Sequence, residues 1–251
     1  MDFDFSNDQE QLRDAVRKWV DKGYTFERHN SIVREGGFSR AAWTELAELG
    51  LCGLYISEDH GGMGMGPTEG MLAMEELGRG IVMEPLAHAL IAGGVFSGYA
   101  PADVQAEWLP KVASGEALIV LAHQERKARY QLDKCEAKAT PAQAGWTLTA
   151  TKSIVPAGDQ ADAYLVPAMV DGTLAMFLVE RNASGVIAQG YGTQDGSRAA
   201  DVVFDNAAAT LIAADGLPVL EYAVDIGIAA ACAEAIGVMD QTLAITVDYM
   251  N

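Results

Sequence analysis

Residue types that can do chemistry are spread unevenly along this chain. His123, Gln124, Glu125, Arg126, Lys127, Arg129 and Tyr130 fall within eight consecutive positions. That run offers an imidazole, a carboxylate and three cations. The cations either hold an anion or form a solvated basic loop. A lone histidine with no acid or nucleophile partner in view reads as a pocket-wall residue, so His123 is given no catalytic role. Cys52, Cys135 and Cys232 are far apart, and none has metal-type spacing with another Cys or His. They read as buried, inert thiols, and no metal site is expected. Glu221 and Asp225 open an apolar segment, where carboxylates ordinarily complement the helix dipole. Glycine is concentrated at Gly61, Gly62, Gly64 and Gly66, broken only by Met63 and Met65. Glycine at that density marks unusual backbone, or backbone approached closely by something else.

The elements that must position these groups fall into three textures. Ser6-Asn7-Asp8-Gln9 has capping-box form, with Leu12, Val16, Trp19 and Val20 on one helical face behind it. Ser39 opens a helix carrying Trp43 and Leu46 and stopping at Gly50. A short apolar run, Leu54-Tyr55-Ile56, reads as a strand before the glycine loop. Pro67 starts a helix with Met71, Met74 and Leu77 on one stripe. Pro85–Tyr99 and Pro101–Val112 give two more helices. From Glu116 the pattern turns strand-like: Leu118–Leu121, Trp146–Ala150, Ala163–Val166, Leu174–Val179 and Asp201–Phe204, with Asp171-Gly172 the best hairpin turn. From Leu217 an alanine-rich helix of roughly 30 residues follows, and Gly227 and Gly237 are placed to let another helix approach. The chain ends on this helix without a cap, as though cut.

With 17 basic and 35 acidic residues the net charge is -18, and no Lys or Arg follows Arg198. Nucleic-acid binding, or anionic-membrane binding driven by bulk charge, is excluded on that balance. No apolar stretch reads as an uninterrupted membrane span and no leader is apparent, so a cytoplasmic, reduced protein without membrane insertion is expected.

Several motifs resemble those of the acyl-CoA dehydrogenases. Gly50-Leu51 with Ser57–Gly64 is similar to the family's Gly-Leu…Pro-Glu-x-x-Gly-Gly-x-Gly run, and Glu75-Glu76-Leu77-Gly78-Arg79 to the helix that follows it. Trp108-Leu109-Pro110 through Gly115-Glu116 resembles its Trp-Leu-Pro-x-x-Ala-x-Gly-Glu junction. Gly145-Trp146-Thr147-Leu148, Lys152 and Ala161-Asp162 resemble its middle-domain motif, and Ala233–Tyr249 the first helix of its C-terminal domain. The resemblance implies an α+β multidomain fold: an all-α domain over 1–116, an antiparallel β-barrel-like domain over 117–212, and the start of a helical bundle over 213–251. It implies FAD as cofactor, an acyl-CoA substrate, an electron-transfer flavoprotein as acceptor, and a homo- or hetero-tetramer. In that chemistry a carboxylate removes the α-proton of a thioester while the β-hydride passes to flavin N5.

Carried over by position, the flavin-contacting residues are Leu121, His123, Gln124 and Tyr130 in one segment and Ile154, Val155 and Pro156 in a second. Tyr130 and Arg129 are the substrate contacts. Only Glu125 keeps the identity of the usual Thr-Glu-Pro loop. Gln124 replaces a flavin-bonding threonine. Pro156 has neither N–H nor hydroxyl, leaving the Val155 or Ala157 backbone to substitute. Arg126, Lys127 and Arg129 hint at a pyrophosphate or an acidic acyl chain. Gly227 and Ile228 occupy positions where some relatives place the catalytic glutamate and a coenzyme-binding arginine, so the base is expected beyond Asn251. On its own this chain is expected to bind FAD weakly and to lack dehydrogenase activity. A non-catalytic partner subunit, and a flavin monooxygenase or nitroalkane oxidase on the same fold, stay open as alternatives. The glycine loop is expected at the mouth of the acyl pocket.

Overall fold

A computed structural model of the protein describes residues 4–143 and 145–250. Six helices come first: α1 (Asn7–Gly23), α2 (Phe26–Arg34), α3 (Arg40–Glu48), α4 (Pro67–Arg79), α5 (Leu86–Tyr99) and α6 (Ala102–Ala113). Seven strands follow: β1 (Ile119–Leu121), β2 (Lys138–Ala142), β3 (Gly145–Pro156), β4 (Ala163–Val170), β5 (Thr173–Glu180), β6 (Val186–Gly192) and β7 (Arg198–Ala213). A 35-residue helix, α7 (Gly216–Met250), follows them.

Local chemistry sets the helix starts. The Ser6 hydroxyl accepts the Gln9 N–H while the Gln9 side chain accepts the Ser6 N–H, completing the expected capping box. Thr25 and Ser39 cap α2 and α3 by a single hydrogen bond each, their hydroxyls accepting the N–H groups of Arg28 and Ala42. The short helix α2 goes beyond the sequence reading. Its single buried apolar residue, Ile32, leaves no apolar stripe to betray it. Leu54–Ile56 is a turn and not the expected strand. The Met63, Gly64 and Met65 N–H groups donate to the carbonyls of Gly53, Ile56 and Leu54, folding the glycine loop back over this run. A side chain on Gly62 would collide with the Ile56 carbonyl, so the close approach foreseen there is backbone on backbone.

The helical part closes around fully buried Trp43, whose Nε1 donates to the Gly115 carbonyl at 2.8 Å. Glu76, also fully buried, joins Arg17 of α1 to Arg79 of α4. Arg79 reaches on to Asp240 of α7. The sheet runs β1-β4-β2-β3-β7-β5, with β4 also pairing β5 to close a barrel and β6 flanking β7. Asp171 and Gly172, both at positive φ, form the expected two-residue turn between Val170 and Thr173. The sheet is mixed, because β1 lies parallel to β4 and β2 touches β4 in parallel at one position. The pure antiparallel expectation fails there because β1 joins the sheet from α6, not through a hairpin. β2 and β6 escaped the sequence reading. Both are largely exposed, one carrying Pro141 and the other two glycines, so neither shows a clean alternation.

α7 is long and apolar enough to cross a membrane by length and composition, although Glu221, Asp225, Glu234, Asp240 and Asp248 interrupt it, so it is not an uninterrupted apolar span. Here Val219, Leu220, Ala223, Ala230, Ala233 and Gly237 turn inward while Ile236, Met239, Leu243 and Ile245 stay exposed. The crossing with α4 is made by glycines. A Cβ on Gly237 would overlap the Glu75 carbonyl, and one on Gly78 would overlap the Glu234 carbonyl. Gly227, by contrast, meets only Ile91 at ordinary contact distance, so it does not serve a helix approach as the sequence suggested. Gly237→Ala should therefore destabilise the fold by about 1–3 kcal/mol, since backbone cannot yield as a side chain does. Gly227→Ala should cost little; equal denaturation midpoints for the two variants would show that the glycine contact does not set the packing.

Candidate functional site

The closing strands, α5 and α7 leave a cleft of about 540 Å³ between them. Leu121 at the end of β1 lines it, with His123, Gln124, Arg129 and Tyr130 from the loop that follows. Ile154, Val155 and Pro156 line it from the end of β3. Every cofactor- and substrate-contact position expected from the sequence therefore opens on one cavity. α5 adds Ala87, His88 and Ile91, and α7 adds Ala223, Val224, Gly227, Ile228 and Ala231. His88 and Ser153 were missed. His88 sits in an almost wholly apolar helix with nothing beside it to mark it, and Ser153 is one hydroxyl inside a strand.

A buried ion pair holds the two segments together. Lys152 Nζ lies 2.7 Å from Glu125 Oε1, with side-chain exposures of 0% and 5%. The Glu125 carboxylate also accepts the N–H groups of Glu136 and Ala137. Lys152 donates in addition to the Pro167 carbonyl at 3.0 Å. The Cys135 thiol lies against the same carboxylate at 3.4 Å. Burial pushes the Glu125 carboxyl up, but the Lys152 ammonium and the N–H donors outweigh it and hold it below the usual carboxylate range. One residue to either side, the Gln124 carbonyl accepts the Ser153 N–H at 2.9 Å, stitching the loop to β3.

β3 bulges where it passes the cleft. Lys152 faces Val202 and Val155 faces Ala200, so Ser153 and Ile154 together oppose Asp201. Ile154 takes φ 53°, a left-handed conformation that a β-branched residue rarely adopts. Asp201 holds it there, accepting the Ile154 N–H at 3.2 Å through Oδ1 while Oδ2 binds Arg126. Arg126 is thus committed to the scaffold, and Lys127 pairs with Glu136 outside the cleft. Of the three cations proposed to meet an acidic ligand, only Arg129 reaches the cavity, and the structure overturns that reading for the other two. Tyr130 stands at the rim, 94% exposed. The Ala157 N–H is taken by the Arg198 carbonyl, so it cannot replace what Pro156 lacks.

Ser153 and Gln124 bring unpaired polar groups to the lining of the cleft. Ser153 Oγ is buried without a hydrogen-bond partner, and the Gln124 carboxamide has none among the described residues. An apolar slot with a few unpaired polar atoms suits a planar, polar-edged ring such as a flavin. The pKa values of His123 and His88 are both pushed down to about 4, chiefly by burial, then by Lys152 for His123 and by His123 for His88, so both rings are neutral near pH 7. No carboxylate among the described residues lines the cleft, and Glu221 and Asp225 lie exposed elsewhere on α7. The base expected beyond Asn251 falls outside the described residues. The glycine loop 61–66 does not line the cleft either, so its expected place at the mouth is wrong. Cys232 is exposed and Cys135 half-buried, leaving Cys52 as the one cysteine that fits the buried reading.

Lys152→Met should strand a buried carboxylate and cost about 3–5 kcal/mol in denaturant titration. Adding Glu125→Gln should return part of that loss, and strict additivity of the two would refute the pairing. Because the Glu125 value is lowered, its contribution is complete above the ordinary carboxylate range and is lost as pH falls through the lowered value. The imidazoles act earlier. Between the unfolded value of about 6.5 and the folded value of about 4, only the unfolded chain takes their protons. Stability should fall with pH across that window by up to roughly 3 kcal/mol per ring, and less in a His123→Gln variant.

Residues 6–116 match the family model described as acyl-CoA dehydrogenase, N-terminal domain. The Mycobacterium tuberculosis protein named acyl-CoA dehydrogenase FadE12 is 29% identical over 189 residues, covering 72% of this chain and 48% of that relative. The chain spans about half the length of several such curated relatives. The solved ChsE4-ChsE5 complex from Mycobacterium tuberculosis superposes at TM-score 0.87 and 25% identity over 99% of this chain and 68% of that one. A glutaryl-CoA dehydrogenase from Mycobacterium smegmatis in complex with FADH2 gives TM-score 0.85 at 20% identity, over 98% and 66% of the two chains, a likeness of fold. With motifs of that kind in order along helices, barrel and α7, the chain carries an acyl-CoA dehydrogenase N-terminal domain over residues 6–116 and is similar in sequence and fold to acyl-CoA dehydrogenases beyond it.

Proposed function

We propose that this chain forms the flavin-facing and acyl-facing walls of an FAD-dependent acyl-CoA dehydrogenase. One observation carries the reading. Two segments some thirty residues apart, 121–130 and 153–156, meet in the lining of a single apolar cleft, which includes Ser153, whose Oγ is buried without a partner, and Gln124, whose carboxamide has none among the described residues. The FADH2-bound relative of the same fold supports FAD as the ligand. Bound FAD supplies the hydride acceptor for α,β-dehydrogenation of an acyl-CoA thioester. The chain's own part is to bind and orient. Ser153 and Gln124 offer hydrogen bonds to a ring edge, and Leu121, Ile154 and Val155 exclude water from the reacting bond. Arg129 and Tyr130 at the rim are placed to meet the polar end of a coenzyme thioester. An electron-transfer flavoprotein as acceptor and a tetrameric assembly accompany this reading, the latter supported by the exposed apolar residues of α7.

A second reading, a partner subunit that binds without catalysing, is favoured by the absence of a carboxylate among the described cleft residues. Turnover of an acyl-CoA by the isolated FAD-loaded chain would dismiss that second reading. FAD should bind the chain weakly but saturably, quenching flavin fluorescence. Ser153→Ala with Gln124→Ala should weaken binding roughly tenfold, as expected for two lost hydrogen bonds, while Lys127→Ala leaves it unchanged. Absence of saturable binding, or equal affinity in all variants, would displace the cleft as the flavin site.

A further inference from the structure

His88 lies near the start of α5, where its Nδ1 accepts the Leu121 N–H at 3.3 Å. β1 ends the strand order and pairs with β4 on one side, where the Ala122 N–H reaches the Leu165 carbonyl. The Leu121 N–H points the other way and has the imidazole as its partner. A ring nitrogen that accepts must carry its lone pair there, so in the neutral ring the proton sits on Nε2. Nε2 has no hydrogen-bond partner among the described residues. Burial, and then His123, keep the ring neutral down to about pH 4, so the donor is uncharged under ordinary conditions.

The ring stands in a shared wall. Ala87, His88 and Pro156 line both the cleft and a second cavity of about 200 Å³ behind it. That second cavity is acidic. Glu84, Asp195 and Glu234 line it, and its one cation, Arg198, is already bound to Asp159 and the Gly36 carbonyl. Glu84 Oε2 is buried without a hydrogen-bond partner. Burial raises the carboxyls of both Glu84 and Glu234, the latter helped by Asp195, as happens where further negative charge is unwelcome. The wall shared by cleft and cavity thus holds a neutral imidazole with an unpartnered Nε2, and the carboxyl groups of Glu84, Asp195 and Glu234 line the cavity on its far side.

We propose that His88 is a specificity residue that selects acyl groups carrying an uncharged oxygen acceptor, a keto or hydroxyl oxygen, while the acidic cavity behind it turns away chains ending in carboxylate. This rests on the reading of the cleft as an acyl-thioester site, and it reverses the hint of acidic substrates drawn from the Arg126–Arg129 run.

The test uses the FAD-loaded full chain with ¹⁵N-labelled histidine, titrated with three six-carbon probes: hexanoyl-CoA, 5-oxohexanoyl-CoA and adipoyl-CoA. The free protein should show His88 protonated on Nε2. The 5-oxo probe should shift that resonance and bind roughly five- to tenfold more tightly than hexanoyl-CoA, the worth of one neutral hydrogen bond. Adipoyl-CoA should bind more weakly than either. His88→Phe should erase the preference, and His88→Gln, which keeps an N–H donor, should restore part of it. An Nδ1-protonated ring, equal affinities for the three probes, or a preference that survives His88→Phe would overturn the proposal while leaving the acyl site standing. Failure of all three probes to bind would overturn both.

Discussion

The site depends on a pair of charges removed from water. Lys152 and Glu125 sit at the crossing of β3, the loop after β1 and the chain entering β2, and each makes further hydrogen bonds to backbone and to the Cys135 thiol. Isolated, either charge would be intolerable in that interior; together, and fully bonded, they force three separate pieces of chain into one register. The residues that face the cleft, His123, Gln124, Ser153 and Ile154, are the immediate neighbours of those two charges. Their positions follow from a contact that does not itself touch the cavity. The same ammonium helps keep His123 uncharged, so one lysine sets both the geometry and part of the electrostatics of the wall.

Around this anchor the scaffold accepts local strain. The bulge at Ser153 and Ile154 turns two consecutive residues toward the cleft, something a regular strand cannot do because its side chains alternate faces. The left-handed Ile154 is tolerated because Asp201 binds its N–H and is itself held by Arg126. Strained backbone kept in place by a dedicated carboxylate is more economical to explain as site construction than as accident.

Much of this was legible in the sequence, and the limits are physical. Helices with a strong apolar stripe or a capping signal, α1, α3 and α4, announced themselves, as did the Asp171-Gly172 turn. Glu125 and Lys152 were each singled out by resemblance. Nothing in one dimension says that residues 27 positions apart share a proton-bearing contact, so their partnership appeared only in space. The cations of the loop misled for a related reason: charge is visible in sequence, but whether it is already neutralised is not. Arg126 and Lys127 are spent on Asp201 and Glu136. His88 was invisible because its significance lies in an otherwise unpaired strand N–H in another part of the chain.

The paired glycines at the crossing of α4 and α7 also have a metric role. Because each meets the carbonyl of the opposite helix, Gly78 against Glu234 and Gly237 against Glu75, only one axial setting of α7 is sterically open. Ten residues upstream, about 15 Å along the axis, lie Gly227 and Ile228 in the wall of the cleft. The glycines thus act as an index pin. The depth of the cleft at Ile228 is gauged from a contact far outside it, and a slip of a single residue there would present a different side chain to whatever the cleft holds.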